Sequence, residues 1–141
     1  MPRGHTYRYN VKLLRAQDGQ SLVETAISLS LLVFLVIGGT DMARAYSAQV
    51  GVLNAARAAV EARVTGAATT DAVAAAYAID ELDRIPGVDA SSATATCTPS
   101  TDGGANFTTC RVRYTFRTIV PWPLVPNTLP LDRSVVFRRY P

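Results

Sequence analysis

The chain has 141 residues, 48% of them hydrophobic, and a formal net charge of +3 from 14 Lys and Arg against 11 Asp and Glu. It contains two cysteines, which exclude a disulfide-dense scaffold and, with no histidine near them, are too few for a four-ligand zinc site. The single histidine, His5, lies near the amino terminus, where no nucleophile and orienting group can be assembled around it. We therefore expect a protein that is not an enzyme and that has no metal and no cofactor.

The first predicted element is a membrane-spanning helix. An uncharged run extends from Thr25 to Thr40, and the 18 residues from Leu22 to Gly39 contain a single charge, that of Glu24. A helix needs about 17 to 25 mostly apolar residues to cross a bilayer. The sequence predicts one transmembrane segment at about residues 22–40.

The charges on either side of this segment predict its orientation. Four basic residues precede it, against one acidic residue, Asp18; they are Arg3, Arg8, Lys12 and Arg15. Asp41 and a single nearby Arg44 follow it. Because an excess of Lys and Arg stays in the cytoplasm, residues 1–19 are predicted to form a basic cytoplasmic leader, with the chain from about residue 41 outside.

Two cleavage sites are compatible with these flanks. Ala43-Arg44-Ala45 resembles the end of a secretory signal, and cleavage after Ala45 would remove the whole apolar segment. A cut between Gly19 and Gln20 would instead keep that segment and place the new α-amino group one helical turn from Glu24. Since an acid at membrane depth usually has a partner, this amine can pair with Glu24 on the same or a neighbouring subunit. The alternative is that Glu24 is hydrated at the membrane surface.

Helical patterns continue beyond the membrane segment. The first helix is predicted over residues 20–65, which corresponds to roughly 67 Å at 1.5 Å per residue. Its second half is rich in alanine, which suits close approach of helices. Gly66 and the Thr69-Thr70-Asp71 cluster end this helix and start a second one, predicted from Asp71 to Ile85 and stopped by Pro86-Gly87.

Strand patterns follow from Asp89 onward, where Thr, Ser, Val and aromatic residues become frequent. Residues 111–118 alternate strictly between polar and apolar side chains. One face of this strand, which should cover a helix, consists of Val112, Tyr114 and Phe116. The opposite face carries Arg111, Arg113 and Arg117.

A Pro-rich connector at residues 120–130 and a closing strand near Arg133 to Tyr140 complete the chain. Trp122, in the connector, is interpreted either as an anchor in the core or at the membrane surface, or as an exposed contact for another subunit. The predicted fold class is α+β: a long transmembrane helix, a second helix and a small antiparallel sheet of three or four strands. Residues 66–141 would form a small extracytoplasmic head.

The two cysteines, Cys97 and Cys110, bracket a 12-residue connection with turn residues at Asp102-Gly103-Gly104. This arrangement predicts a hairpin whose ends they join. Outside the cytoplasm, a disulfide closing such a loop contributes about 3 kcal/mol to stability. Two free thiols are the alternative.

Several strings in the first half of the chain, taken in order, resemble one protein family. They are Gly19-Gln20-Ser21-Leu22-Val23-Glu24 followed by the apolar run, then Gly38-Gly39-Thr40-Asp41, Ala43-Arg44-Ala45 and Asn54-Ala55-Ala56-Arg57. The first string resembles the prepilin peptidase site of type IV pilin-like proteins. The ordered set resembles the TadE-like family of minor pilins, or pseudopilins, of the tight-adherence (Flp, type IVb) pilus machinery. The similarity extends to Cys97, Cys110, the strand at residues 111–118, Pro121-Trp122-Pro123 and residues 131–139.

This resemblance implies a pilin-like fold and a role in assembling a pilus used for surface attachment. A dedicated prepilin peptidase would cut after Gly19, the small residue that its pocket needs, and leave Gln20 as the first residue. Glu24 would be the charge partner during assembly. The implied partners are the peptidase, other pilin subunits, inner-membrane assembly proteins and the lipid bilayer. The implied location is the inner membrane, with the head in the periplasm and possible entry into the filament.

Two other functions remain open from the sequence. One is an uncleaved, single-pass envelope-anchored assembly or secretion factor. The other, which we favour least, is a membrane-tethered module that binds nucleic acid or another anionic polymer through Arg111, Arg113, Arg117, Arg133, Arg138 and Arg139. These arginines are more simply interpreted as a solvated sheet face or a contact for lipid headgroups. The acidic residues Asp80, Glu81 and Asp83 are interpreted as a solvated helix face.

Overall fold

The computed structural model describes residues 11–123 and 125–139, with side chains from residue 19 onward. Residues 1–10, which contain two of the four basic residues of the predicted leader, lie outside the described residues, as do the side chains of Lys12, Arg15 and Asp18. The chain divides into two units, residues 1–39 and 40–141. Each unit is described by itself below.

The first helix, α1, spans Val11–Thr65. It begins inside the segment assigned to the leader, before the predicted start at residue 20. Within the described residues, one helix is long and apolar enough to cross a membrane, and it lies at Gly19–Thr65. Its large apolar side chains in the first unit are exposed, for example Leu22 at 72% and Leu35 at 60%, as expected for a surface that faces lipid.

Hydroxyl groups in the apolar part of α1 are hydrogen-bonded within the helix. The Thr25 hydroxyl donates to the Ser21 carbonyl, and the Ser30 hydroxyl donates to the Ala26 carbonyl, each at 2.8 Å. Such bonds to the carbonyl four residues earlier satisfy a polar side chain without water. Thr25 and Ser30 are therefore compatible with a membrane span.

The second unit contains the end of α1 and a second helix, α2, at Asp71–Asp83. Thr70 caps α2, because its hydroxyl oxygen accepts a hydrogen bond from the Val73 N–H at 3.2 Å. The Arg63 Nε donates to Asp71 Oδ1 at 2.6 Å and so joins the two helix ends. α2 stops two residues before the predicted Ile85, with Arg84 as its carboxy-terminal cap.

Three antiparallel strands follow, in the spatial order β1-β2-β3. They are β1 at Thr94–Asp102, β2 at Ala105–Arg117 and β3 at Thr128–Arg139. The β1-β2 turn uses Gly103 and Gly104 at φ values of 56° and 80°, which glycine adopts without steric cost. β3 starts before the predicted Arg133, since Pro130 is tolerated on an edge strand.

The core of the second unit is built from both helices and one face of the sheet. The apolar face predicted from alternation is buried, as Val112, Tyr114 and Phe116 are exposed by 0%, 6% and 3%. It packs in one cluster with Leu82 of α2 and with small side chains of α1, namely Ala48, Val52, Ala55, Ala56, Ala59 and Val60. The predicted α+β class, with a long apolar helix, a second helix and a small antiparallel sheet, is confirmed.

Candidate functional site

The predicted processing segment lies on the exposed surface of α1. Gly19, Gln20 and Glu24 are all exposed, and a Cβ built at Gly19 would meet no atom within 4 Å. The Glu24 carboxylate is carried by an exposed residue of α1. The structure does not test the cut between Gly19 and Gln20, which stays a prediction.

A buried carboxylate, Asp41, lies just after the predicted membrane segment. It is 4% exposed and lies near the start of the second unit. In the sequence, Asp41 served only as a flanking charge and as a member of the Gly38-Gly39-Thr40-Asp41 string. A buried charge is costly unless several hydrogen bonds compensate for its lost hydration. Its partners come from the far end of the sequence.

Donors from Ile119, Trp122 and Arg44 converge on the Asp41 carboxylate. The Ile119 backbone N–H lies 2.9 Å from Oδ1 and 3.1 Å from Oδ2. The Trp122 Nε1–H donates to Oδ2 at 3.0 Å, and Arg44 Nη1 donates to Oδ1 at 3.1 Å. We call Asp41, Arg44, Ile119 and Trp122 the Asp41 cluster; it ties α1 to the segment that follows β2.

These bonds determine the protonation of Asp41. Burial raises the pKa of its carboxyl group, but hydrogen bonds from Ile119, Trp122, the Val120 backbone and Arg44 outweigh burial and hold the pKa below its ordinary value. Asp41 is therefore ionised at neutral pH. It also orients Arg44, whose guanidinium lies over the Phe116 ring, 5.3 Å from the centroid.

Asn127 is hydrogen-bonded to two earlier residues of the connector between β2 and β3, Thr118 and Trp122. The Trp122 N–H donates to Asn127 Oδ1 at 2.8 Å, and the Thr118 N–H donates to the Asn127 carbonyl at 3.1 Å. Trp122 is half-buried in this loop. The structure thus assigns Trp122 a hydrogen bond inside its own unit, which the two sequence interpretations did not include.

The cysteine prediction is confirmed by the sheet register. Cys97 of β1 lies directly opposite Cys110 of β2, and the two form a disulfide across a sequence separation of 13. Cys110 is 1% exposed and belongs to the core cluster. The disulfide therefore fixes the β1-β2 hairpin to the part of the sheet that packs on the helices.

The predicted arginine face lies on the exposed side of the sheet, where two of its arginines share one carboxylate, that of Asp132. Arg111 Nε donates to Asp132 Oδ1 at 2.7 Å and its Nη2 donates to Oδ2, while Arg113 Nε reaches Oδ2 at 3.2 Å. The Arg111 hydrogen bond is the main reason that the pKa of Asp132 lies below its ordinary value. Sequence reasoning did not pair Asp132 with these arginines, and the pairing argues against a continuous anionic-polymer site.

The acidic residues near the end of α2 also have local partners. Arg84 Nη2 lies 3.1 Å from Asp80 Oδ2, and its Nη1 lies 3.7 Å from Glu81 Oε2. Within the described residues there is no group of three His, Cys, Asp or Glu side chains that could hold a metal ion. The arrangement is that of a solvated helix end.

These features define a class of protein: one candidate membrane-spanning helix followed by a small disulfide-linked α+β unit. The family model described as TadE-like protein matches residues 19–61. This match begins at the predicted processing residue Gly19 and confirms the predicted family resemblance for that segment. Comparisons with curated proteins and with solved structures give no significant match. The resemblance of the carboxy-terminal strings stays a prediction.

The TadE-like match covers 43 of the 141 residues and shows what this segment is similar to. Together with the apolar helix, it indicates a membrane anchor.

Proposed function

We propose that this chain is a minor pilin or pseudopilin that supports assembly of a tight-adherence (Flp, type IVb) pilus. The observation that carries the proposal is the family match over residues 19–61, which starts at Gly19 and includes Glu24 and the whole apolar segment. The exposed apolar side chains of that segment support the same function, because a pilin is held in lipid before it is assembled.

In this proposal, a prepilin peptidase cuts after Gly19 on the cytoplasmic side of the inner membrane. The basic leader is the reason for this orientation, with the amino terminus inside and residues 40–141 in the periplasm. The Cys97–Cys110 disulfide supports it, because disulfides persist in oxidising compartments. The new α-amino group of Gln20 and the exposed Glu24 carboxylate then form an ion pair within or between subunits during assembly.

The test is pilus formation in the native host after deletion of the gene and complementation. We expect the deletion strain to lose surface pili, counted by electron microscopy, and the wild-type chain to restore them. Gly19→Arg should fail because it blocks processing, and Glu24→Ala should fail because it removes the charge. Gly19→Ala is the matched control, since it keeps a small residue at the cut.

The outcomes separate the proposal from its closest alternative. Full restoration by Gly19→Arg would identify an uncleaved, anchored assembly or secretion factor. Unchanged pilus numbers in the deletion strain would contradict a role in pilus assembly altogether.

A further inference from the structure

A cleft of about 590 Å³ opens in the second unit beside the Asp41 cluster. Three segments form its walls: α1 through Arg44, the loop after α2 through Gly87 and Asp89, and the end of β2 through Tyr114 and Arg117. Arg44 and Arg117 each appear in the sequence analysis, but no sequence prediction brings them to one cleft. Its walls include several side chains that can donate hydrogen bonds, among them Arg44, Tyr114 and Arg117.

Arg44 lines the cleft with a guanidinium group whose orientation is fixed and only some of whose nitrogens are hydrogen-bonded. Its Nη1 is held by Asp41 and its plane lies over Phe116, so its orientation is set. Its Nε and Nη2 point toward Gly87, where a built Cβ would lie 3.7 Å and 3.9 Å from them. These two nitrogens form no hydrogen bond with any described residue, and together they make the planar fork that arginine uses for oxyanions.

Arg117, at the end of β2, also lines the cleft. It is exposed and has no ion pair or hydrogen bond with the described residues. β2 continues past its last β1 partner, because Thr94 pairs with Arg113 while β2 ends at Arg117. Residues 114–117 therefore have no strand neighbour on the β1 side within the described part, and their sheet edge borders the cleft.

Asp89 supplies the one carboxylate among the residues that line the cleft, and this carboxylate is hydrogen-bonded within its own loop. Asp89 Oδ1 accepts hydrogen bonds from the Ser91 N–H at 3.1 Å and the Ser91 hydroxyl at 2.6 Å. The Asp89 N–H in turn donates to the Tyr114 hydroxyl oxygen at 3.5 Å, which leaves the Tyr114 hydroxyl hydrogen for another acceptor. Asp89 lowers the local positive charge, so we expect weak, millimolar binding that depends on directed donors.

We propose that this cleft binds a phosphate group carried by a larger molecule. Two arginines and a tyrosine hydroxyl line the cleft, and these donors suit an anion with several acceptor oxygens. The volume of about 590 Å³ exceeds the needs of a single anion and leaves room for an attached group. The phosphate can come from a phospholipid headgroup or from a soluble phosphate ester. This inference goes beyond the pilus role and does not depend on it.

The experiment uses the full chain in a detergent that lacks phosphate, with arginine Nε–H signals followed by NMR. Inorganic phosphate and glycerol 3-phosphate are titrated as probes. We expect saturable shifts of the Arg44 and Arg117 signals. Arg117→Gln should weaken binding about tenfold, as expected for loss of a charged hydrogen-bond donor. Asp89→Asn should tighten it.

Two controls keep the result interpretable. Arg133→Gln removes the same charge outside the cleft and should leave binding unchanged, so equal weakening by this variant would show a net-charge effect and overturn the proposal. Arg44→Gln also disturbs the Asp41 cluster, and for that reason Arg117→Gln is the deciding variant. Shifts that do not saturate would also overturn the site.

A second arm distinguishes the source of the phosphate. The full chain is placed in phospholipid nanodiscs without added phosphate. If the Arg44 and Arg117 signals already have the chemical shifts of the phosphate-bound protein in detergent, the occupant is a lipid headgroup. Signals at free positions that move only on addition of glycerol 3-phosphate identify a soluble ester. If the Arg44 and Arg117 signals do not shift with either probe in detergent and have the same unshifted positions in nanodiscs, the proposal is contradicted.

Discussion

Asp41 connects two parts of the chain that are far apart in sequence. Its hydrogen bonds to Ile119 and Trp122 span 78 and 81 residues. No periodicity or spacing predicts such a contact, because a lone Asp after an apolar run is equally compatible with a solvated helix surface. The family strings that contain Asp41 and Trp122 give the one sequence signal that both positions matter, and the structure supplies the reason.

Replacement of Asp41 should release the connector. Asp41→Ala leaves the Ile119 N–H and the Trp122 Nε1–H without an acceptor, so we expect a lower thermal midpoint and a red-shifted Trp122 emission. Trp122 is the only tryptophan in the sequence, so intrinsic fluorescence reports this site alone. Asp132→Ala, which removes an exposed ion pair of the sheet, is the control and should leave the emission unchanged. An unaltered Trp122 emission in Asp41→Ala would contradict the cluster.

The same contact should depend on pH. The pKa of Asp41 is lower in the folded protein than its ordinary value of 3.8, so its contribution to stability is fully present above that value. It is lost as the pH falls through the lower, folded pKa. We expect the Trp122 emission to shift in acid below about pH 3.8, and Asp41→Asn to abolish this shift. A shift centred near neutral pH would contradict the assignment to Asp41.

Gly51 tests how closely α1 approaches the segment that follows α2. A Cβ at this position would lie 2.2 Å from Ile85 Cδ1, so Ile85 must move for any larger residue. We expect Gly51→Leu to lower the free energy of unfolding by about 1–3 kcal/mol through overpacking. Gly51→Ala should cost less, because alanine gains about 1 kcal/mol of helix propensity over glycine.

Denaturant unfolding of Gly51→Leu, Ile85→Ala and the double variant measures this contact. Removal of the Ile85 side chain should reduce the cost of Gly51→Leu, since the two positions compete for one space. Purely additive costs would show that the two side chains do not meet.

At the scale of elements, alternation predicted β2 and its faces correctly because a period of two places successive side chains on opposite sides of a sheet. The hairpin followed from the turn glycines and the two cysteines. The bounds of α2 and β3 were less accurate. Helix propensity does not distinguish the last turn of α2 from its cap at Arg84. Because proline is disfavoured within strands, Pro130 led to a predicted start of β3 that is too late, whereas β3 pairs with β2 from Thr128.

The disulfide should stabilise the hairpin and leave the fold unchanged. The paired variant Cys97→Ala with Cys110→Ala removes the cross-link, and we expect the free energy of unfolding to fall by about 3 kcal/mol. The circular dichroism spectrum should stay the same, because the β1-β2 register is also fixed by its hydrogen bonds and by Val112 in the core. A reducing agent should destabilise the wild type by a similar amount and leave the variant unaffected. Equal stability of wild type and variant would contradict a formed disulfide.

At the scale of the whole molecule, the sequence alone predicted a membrane segment, because a long uncharged apolar run of this length is typical of a helix that spans a bilayer. The structure adds that apolar side chains from Leu22 to Val36 stay exposed, whereas the alanine-rich part of α1 from Ala48 to Val60 is buried under α2 and the sheet. One helix thus has two kinds of surface, one suited to lipid and one to protein. The orientation across the membrane rests on the leader charges and on the disulfide, and it remains part of the proposal.

The central claim is that this membrane-anchored chain is processed as a prepilin, and the mature amino terminus tests it most directly. Mass spectrometry of the protein isolated from its native membrane should find Gln20 as the first residue, and the Gly19→Arg variant should keep its leader. An intact Met1 terminus in the wild type would contradict processing and favour an uncleaved anchor. A terminus at Tyr46 would show removal of the apolar segment by ordinary signal cleavage and would contradict the account as a whole.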